Sequence, residues 1–447
     1  MATQNANIDV HHITRVEGHG NIVVNVTDGS IEKCQWQVPE APRFFEAMVR
    51  GRHYSEVARI TSRICGICSV GHTLASLKAS EAALGITISK QTDLLRRVLK
   101  HAENFDSHIL HVYFLVAPDL LGAPSVFPLV PTHTDVVKRA LRMKRLGHEW
   151  GSCIGGRTTH PTRAVVGGFA SLPGGARNVR EAEDNLRELK EKLLAAVPDA
   201  VATFELLGEL AGGIPDFTRP TEYVGLVDDK EYGLYDGKIG CVMPDGTVEL
   251  VDVSDYRSVT NEYVTDQSTA KFAKHNLGSY MAGALARINL NYDMLHPEAK
   301  KLAEGLGFKT LCFNPYMNSV AQFVEAVHSV YMSVGYIDEL LETGIKDEKP
   351  VEPTTFGRGA GATEVPRGIL FHEYEYDQDG FCTMGNCIIP TNQNHGNIQL
   401  DFEKLVPELL AMDKTEKEME LLLEMLVRAY DPCISCSTHY LDVTFKK

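Results

Sequence analysis

The chain has 447 residues, 44% of them hydrophobic and 23% charged, an ordinary globular balance that length alone would divide into one to three domains. Its formal charge of −15 argues against a nucleic-acid partner, whose phosphates it would repel. No apolar run reaches the length of a membrane span, the longest lying near residues 109–116 with His111 inside it. Met1-Ala2-Thr3-Gln4-Asn5 has no basic stretch followed by an apolar one, so no secretory signal is expected. Ten cysteines are too sparse for a disulfide framework and suit a reducing cytoplasm.

In chain order, residues 22–26 and 31–38 read as strands joined by Asp28-Gly29, a hairpin signal. Just ahead lies Arg15-Val16-Glu17-Gly18-His19, in which Glu17 taken alone reads as a surface charge at a strand start. Residues 44–52 predict a short helix closed by Gly51 and carrying Glu46. Cys65-Gly66-Ile67-Cys68 follows, with His72 four positions on. Residues 70–84 predict a helix that buries Leu74, Leu77 and Ala82 and stops at Gly85. A long helix is expected over 91–120, with Leu94, Leu95, Val98, Ala102, Phe105, Ile109 and Val112 at three- and four-residue steps. His101, His108 and His111 ride on it, and at least two of them read as satisfied core histidines.

The four prolines of 118–131 mark a loop. Gly155-Gly156-Arg157-Thr158-Thr159-His160-Pro161, within 148–161, lacks the glycine spacing and the Lys-Ser/Thr ending of a phosphate loop. Cys153 beside it reads as structural. Residues 179–210 predict charged amphipathic helices. Residues 216–266, with two Asp-Gly pairs and scattered β-branched residues, predict a β-rich insertion outside the helical core of a single domain spanning 1–447. Helical patterning returns over 281–290, 298–306 and 320–342. Phe356-Gly357-Arg358-Gly359-Ala360-Gly361 reads as a glycine-dense loop. It follows no clear strand, so a dinucleotide site is not expected. Glu364-Val365-Pro366-Arg367-Gly368 leads into a second hairpin, 369–376 and 381–389, and then Pro390-Thr391. Cys382 and Cys387, five apart in a strand, face opposite sides and make no metal site together. Helices over 402–430 deliver Asp431-Pro432-Cys433-Ile434-Ser435-Cys436, with His439 three positions beyond. The fold class expected is α+β and mostly helical: a central bundle of long helices with peripheral β-hairpins.

Two C-x-x-C pairs at opposite ends of the chain supply four soft thiolates, enough to hold a metal once the ends meet. A structural zinc site is the plain reading of four cysteines. Zinc knuckles, however, usually pair over a short stretch, and a chain this long needs no staple to fold.

R-I-C-G-I-C-x-x-x-H together with D-P-C-x-x-C-x-x-H resembles the paired signature of the large subunit of nickel–iron hydrogenases. The likeness runs from Arg15 to His439, nearly the whole chain. It implies that Cys65, Cys68, Cys433 and Cys436 bind nickel, Cys65 and Cys433 as terminal ligands. Cys68 and Cys436 would bridge to an iron that carries carbon monoxide and cyanide. The reaction implied is reversible heterolysis of hydrogen into hydride and proton. Cys433 would accept the proton and Glu17 would relay it, a carboxyl held away from water rising toward neutrality. The segment Ser107-His108-x-x-His111-x-Tyr113 resembles one that ends at Asp119. Asp119 and Arg367 would stand over the open side of the metals, with Pro366 beside them. Thr391 would hydrogen-bond a diatomic ligand and His72 a cysteine sulfur. Glu46, His439 and the backbone carbonyl near Cys387 would share a second, hard ion, magnesium or iron. Gly155 to Pro161 resembles a loop near the subunit contact.

Cys34, Cys153, Cys241, Cys312, Cys382 and Cys387 are scattered singly and form no cluster motif. The resemblance therefore implies an iron–sulfur small subunit, with NAD-, flavin- or ferredoxin-linked subunits beyond it, in the cytoplasm. The quinone-binding subunit of respiratory complex I shares the fold but lacks the four cysteines. Family members are usually cut after the motif histidine; here Tyr440 to Phe445 alternate apolar and polar residues, and a retained terminal strand is expected.

Overall fold

A computed structural model describes residues 5–438, so His439 and the 440–447 tail lie outside the described residues. Strands β1 Ala6–Val10, β2 Asn21–Thr27 and β3 Ser30–Gln37 form an antiparallel sheet. Asp28 and Gly29 at its turn take φ 52° and 76°, the paired positive values of a tight hairpin. Helices α1 Phe45–Val49 and α2 Tyr54–Thr61 lead to the first cysteine pair. α3 Ser69–Leu84 starts directly after Cys68 and ends on Gly85 at φ 64°. There a left-handed residue closes the last turn without a Cβ clash.

α4 Lys90–Leu110 begins at Ser89, whose hydroxyl accepts the Thr92 N–H at 3.1 Å. The single helix expected over 91–120 is not uniform. Residues His111–Val116 widen into a π turn before α5 Ala117–Leu120 resumes, a distortion that recurs at functional sites. Its first residue, His111, is anchored by Gln322 Oε1 at 2.5 Å and the Arg428 carbonyl at 2.7 Å. α6 Thr134–Gly155 takes up the first half of the 148–161 stretch and ends on Gly156. Beyond it lie β4 Ala164–Val165, β5 Gly168–Phe169, α7 Val179–Ala195 and α8 Val197–Leu210.

The strand-rich stretch runs on past residue 266: β6 Glu222–Val227, β7 Lys238–Val242, β8 Val248–Val251, β9 Asn261–Thr265, β10 Ser268–Lys274 and β11 Tyr280–Met281. The order β11-β6-β7-β8 makes one sheet and β9-β10 a hairpin. Val224, Leu226, Ile239 and Cys241 on it are fully buried against Ala362, Ile369 and Phe371.

Helices α9 Ala284–Asn291, α10 Pro297–Gly305 and α11 Asn318–Thr343 follow. α11 and α4 form the central long pair, with α6 on the far side of α4. Strands β12 Arg358–Val365, β13 Gly368–Tyr376 and β14 Cys382–Ile388 form an antiparallel sheet that lies on α3. Where a glycine-dense loop was expected, Gly359 and Gly361 are strand residues. A Cβ on them would sit 2.3 Å from the Ala83 nitrogen and 2.4 Å from the Ala79 nitrogen, so strand and helix backbones touch. α12 Pro390–Ala411, α13 Glu416–Ala429 and α14 Ile434–Ser437 complete the described chain. Among the described residues no helix is long and apolar enough to cross a membrane.

Candidate metal centre

The chain ends meet as a direct backbone junction. Ile434 N–H donates to the Glu17 carbonyl at 2.9 Å. At Gly18, φ 85°, a Cβ would come within 2.7 Å of the Ser435 nitrogen. Only a glycine lets the N-terminal segment pass this close to the second cysteine pair. Arg43 ties the two cysteine loops to each other. One Nη2 donates to the Ile64 carbonyl at 2.7 Å and also reaches the Ser435 carbonyl.

Cys65, Cys68, Cys433 and Cys436 are all buried, and their four sulfurs lie within 4.8 Å of one another. Cys65 Sγ is 3.3 Å from Cys433 Sγ and accepts the Ile67 and Cys68 N–H groups at 3.3 and 3.2 Å. Hydrogen bonds from Cys433, Cys436 and Cys68, with the Arg367 charge nearby, hold Cys65 well below the ordinary thiol range. Burial pushes the Cys433 and Cys436 thiols up. Four converging soft donors fit a nickel-type ion; they would equally fit zinc on donor chemistry alone.

Arg367 stands at the tip of the β12–β13 hairpin, where Val365 pairs with Gly368 and Pro366-Arg367 fill the two-residue turn. It is 2% exposed, and its charge lies close to Cys433, Cys68 and Cys65. Gly368, φ 133°, packs so closely that a Cβ would sit 2.6 Å from the Ala282 Cβ. The hairpin tip is held by Arg287, which donates to the Val365 and Pro366 carbonyls at 2.9 and 3.0 Å. Arg287 is fixed in turn by Glu325, at 2.6 Å from both Nε and Nη2, and by Glu364 at 2.8 Å. These three side chains are fully buried.

The carboxylate paired with Arg367 is Asp431, at 2.7 Å. Asp119 instead bridges Arg15 and Arg428, the latter at 2.7 Å. Asp431 sits inside the D-P-C motif, two positions before Cys433, and that adjacency was the available signal for it. Glu17 binds Ser435: the serine N–H donates to Oε2 at 3.1 Å and its hydroxyl reaches Oε1. Thr391 Oγ1 accepts the Cys433 N–H at 3.0 Å, leaving its own O–H for another acceptor. His72 Nδ1 lies 3.1 Å from His372 Nε2, and His372 Nδ1 2.5 Å from the Tyr374 hydroxyl. Glu46 is buried on α1, which packs on β14 beside Cys387. Burial, reinforced by the Glu46 charge, raises the Cys387 thiol well above its usual range. His160, in the loop after α6, donates its N–H to Ser69 Oγ at 2.8 Å and places Nδ1 3.0 Å from the Ser62 carbonyl. That loop therefore lies against the first cysteine pair, where Arg63 and Gly66 are exposed.

The chain is similar to known hydrogenases over nearly its full length. The profile described as nickel-dependent hydrogenase matches residues 43–139 and 268–439, and a HoxL-like profile matches 7–41. The chain is 33% identical over 434 residues to the alpha subunit of sulfhydrogenase 1 from Pyrococcus furiosus, covering 97% of each. It is 28% identical to the beta subunit of the NAD-reducing hydrogenase HoxS from Cupriavidus necator, over 96% of this chain and 94% of that one. Among solved structures, an NAD+-reducing [NiFe]-hydrogenase in its H2-reduced state superposes with a TM-score of 0.83 at 27% identity, covering 98% of this chain and all of that one.

Proposed function

Because the chain belongs to the nickel-dependent hydrogenase family, as the catalytic large subunit of a nickel–iron hydrogenase acting on hydrogen, we propose a role for each group around its four thiolates. The convergence of four buried sulfurs within 4.8 Å carries the proposal. Family membership favours nickel and iron over the zinc and quinone-reductase readings. Cys65, Cys68, Cys433 and Cys436 would hold the nickel, and Cys68 and Cys436 would also serve an iron carrying carbon monoxide and cyanide. The metal pair supplies the Lewis acidity that splits hydrogen.

The chain's own groups do the rest. Cys433 Sγ takes the proton, thiolate being the basic form. Glu17 carries it outward, a role supported by its hold on Ser435, two residues on. Arg367 keeps a fixed positive charge over the sulfurs, since a guanidinium stays protonated. Asp431 aims it, and Arg287 fixes the backbone it stands on. Asp119 acts one step further out, through Arg428. Thr391 would offer its hydroxyl proton to an iron ligand, and Pro366 shapes the turn that carries Arg367. His72, whose Nδ1 lies 3.1 Å from His372 Nε2, would hydrogen-bond a cysteine sulfur through its other nitrogen.

Glu46 and the Cys387 carbonyl, with His439, take a hard second ion, magnesium or iron. Electrons leave beside exposed Arg63 and Gly66 to an iron–sulfur small subunit docked there and over the His160 loop. NAD-, flavin- or ferredoxin-linked subunits complete a cytoplasmic complex. The chain forms a single domain over 1–447, with a β-rich insertion at about 216–266.

The test is hydrogen–deuterium exchange by purified enzyme and a Cys436→Ser variant. Loss of exchange together with loss of nickel is expected. Exchange at the normal rate in the variant would overturn the assignment.

A further inference from the structure

Away from the four cysteines, a second group of metal-type donors converges where the β6–β7 sheet meets the end of β10. We propose that Glu222, Cys241 and His275 form a separate structural zinc site. Their ligand atoms all lie within 4.8 Å of one another. Glu222 and Cys241 are fully buried, and the His275 side chain is 10% exposed. Val224 pairs with Cys241 across β6 and β7, which sets Glu222 diagonal to Cys241 on one face. His275 follows directly on β10.

The ordinary account would be a His–Glu ion pair with a thiol nearby, and His275 Nδ1 is indeed 2.7 Å from Glu222 Oε1. That account leaves Glu222 Oε2 unexplained. This oxygen is sealed from solvent and has no hydrogen-bond partner among the described residues. A carboxylate buried half-satisfied costs free energy that a cation at the same place would recover. One sulfur, one imidazole nitrogen and one carboxylate oxygen make a borderline-soft set, which suits zinc over magnesium or calcium.

The fourth position is left to water; Glu249, across from Cys241 in the β7–β8 register, is exposed and outside the donor group. Binding takes Cys241 as thiolate and His275 as neutral imidazole, so the thiol proton and any proton His275 holds in its pair with Glu222 are released to solvent. No electron moves, so the site staples β6, β7 and the end of β10 and takes no part in turnover.

Zinc, nickel and iron are counted in purified enzyme after incubation with zinc chloride and desalting, alongside Cys241→Ser and His275→Gln. Roughly one tightly held zinc per chain is expected. Both variants should lose it, with nickel, iron and hydrogen turnover unchanged. X-ray absorption at the zinc edge of the unmodified enzyme should give one sulfur and otherwise nitrogen or oxygen neighbours, a readout that depends on no variant folding. Zinc well below one per chain in the unmodified enzyme, zinc equal in all three proteins, or an edge spectrum without sulfur would overturn the proposal.

Discussion

Arg367→Met separates the charge over the thiolates from the packing around it. The guanidinium is 2% exposed and holds Asp431 at 2.7 Å. Without it, among the described residues the Asp431 side chain keeps Gln322 Nε2 at 2.9 Å and the His111 ring at 3.7 Å. Removing one partner of a buried pair costs about 3–5 kcal/mol, because the other charge is left uncompensated. At about 2.1 cal/mol/K of unfolding entropy per residue, a 447-residue chain loses roughly 1 °C per kcal/mol, so Tm should fall by about 3–5 °C. Adding Asp431→Asn removes the stranded charge and keeps an acceptor for Gln322, so most of that loss should return. Hydrogen turnover should not return. Both proteins should fall about 10²–10³-fold, the usual effect of losing one preorganised charged or donor group, while retaining nickel and iron. Calorimetry, elemental analysis and hydrogen uptake on the same preparations decide it. Turnover within about twofold in Arg367→Met would remove the charge's role at the thiolates, and a double variant no more stable than the single would remove the stranded Asp431 charge as the cause of the stability loss.

Glu17→Gln should keep both metals while slowing exchange with deuterated water by about 10²–10⁴-fold; normal exchange read by mass spectrometry would remove the relay. Gly361→Ala drives a Cβ to 2.4 Å from the Ala79 backbone nitrogen on α3, and overpacking of this kind should cost about 1–3 kcal/mol or more in thermal unfolding. Gly335→Ala, mid-helix with nothing within 4 Å, should instead gain up to about 1 kcal/mol. Glu46→Gln should lower magnesium content with nickel retained, as measured by elemental analysis of desalted enzyme.

The four cysteines were legible because their spacing is a local chemical statement, repeated at both ends. Glu17 beside the second pair followed from the same resemblance. What escaped the sequence was pairing across long separations. Arg43, which joins Ile64 to Ser435, and Arg287, which holds the turn before Arg367, carry no local pattern that marks them as clamps. Asp431 lay within a recognised motif, yet its partner stands 64 positions away. Gly359 and Gly361 looked like a loop because glycine weakens strand patterning; they are there because α3 leaves no room for a Cβ. The π turn at His111–Val116 keeps the apolar steps of an α-helix, so periodicity could not reveal it.

On the proposed function, Cys65, Cys68, Cys433 and Cys436 hold a nickel–iron pair with diatomic ligands on the iron. Infrared spectroscopy of the purified enzyme tests it most directly, with nickel and iron counted on the same sample. Sharp bands of metal-bound cyanide and carbon monoxide are expected, with both metals present, and their joint loss in Cys65→Ser. A four-sulfur zinc content with no such bands would contradict it.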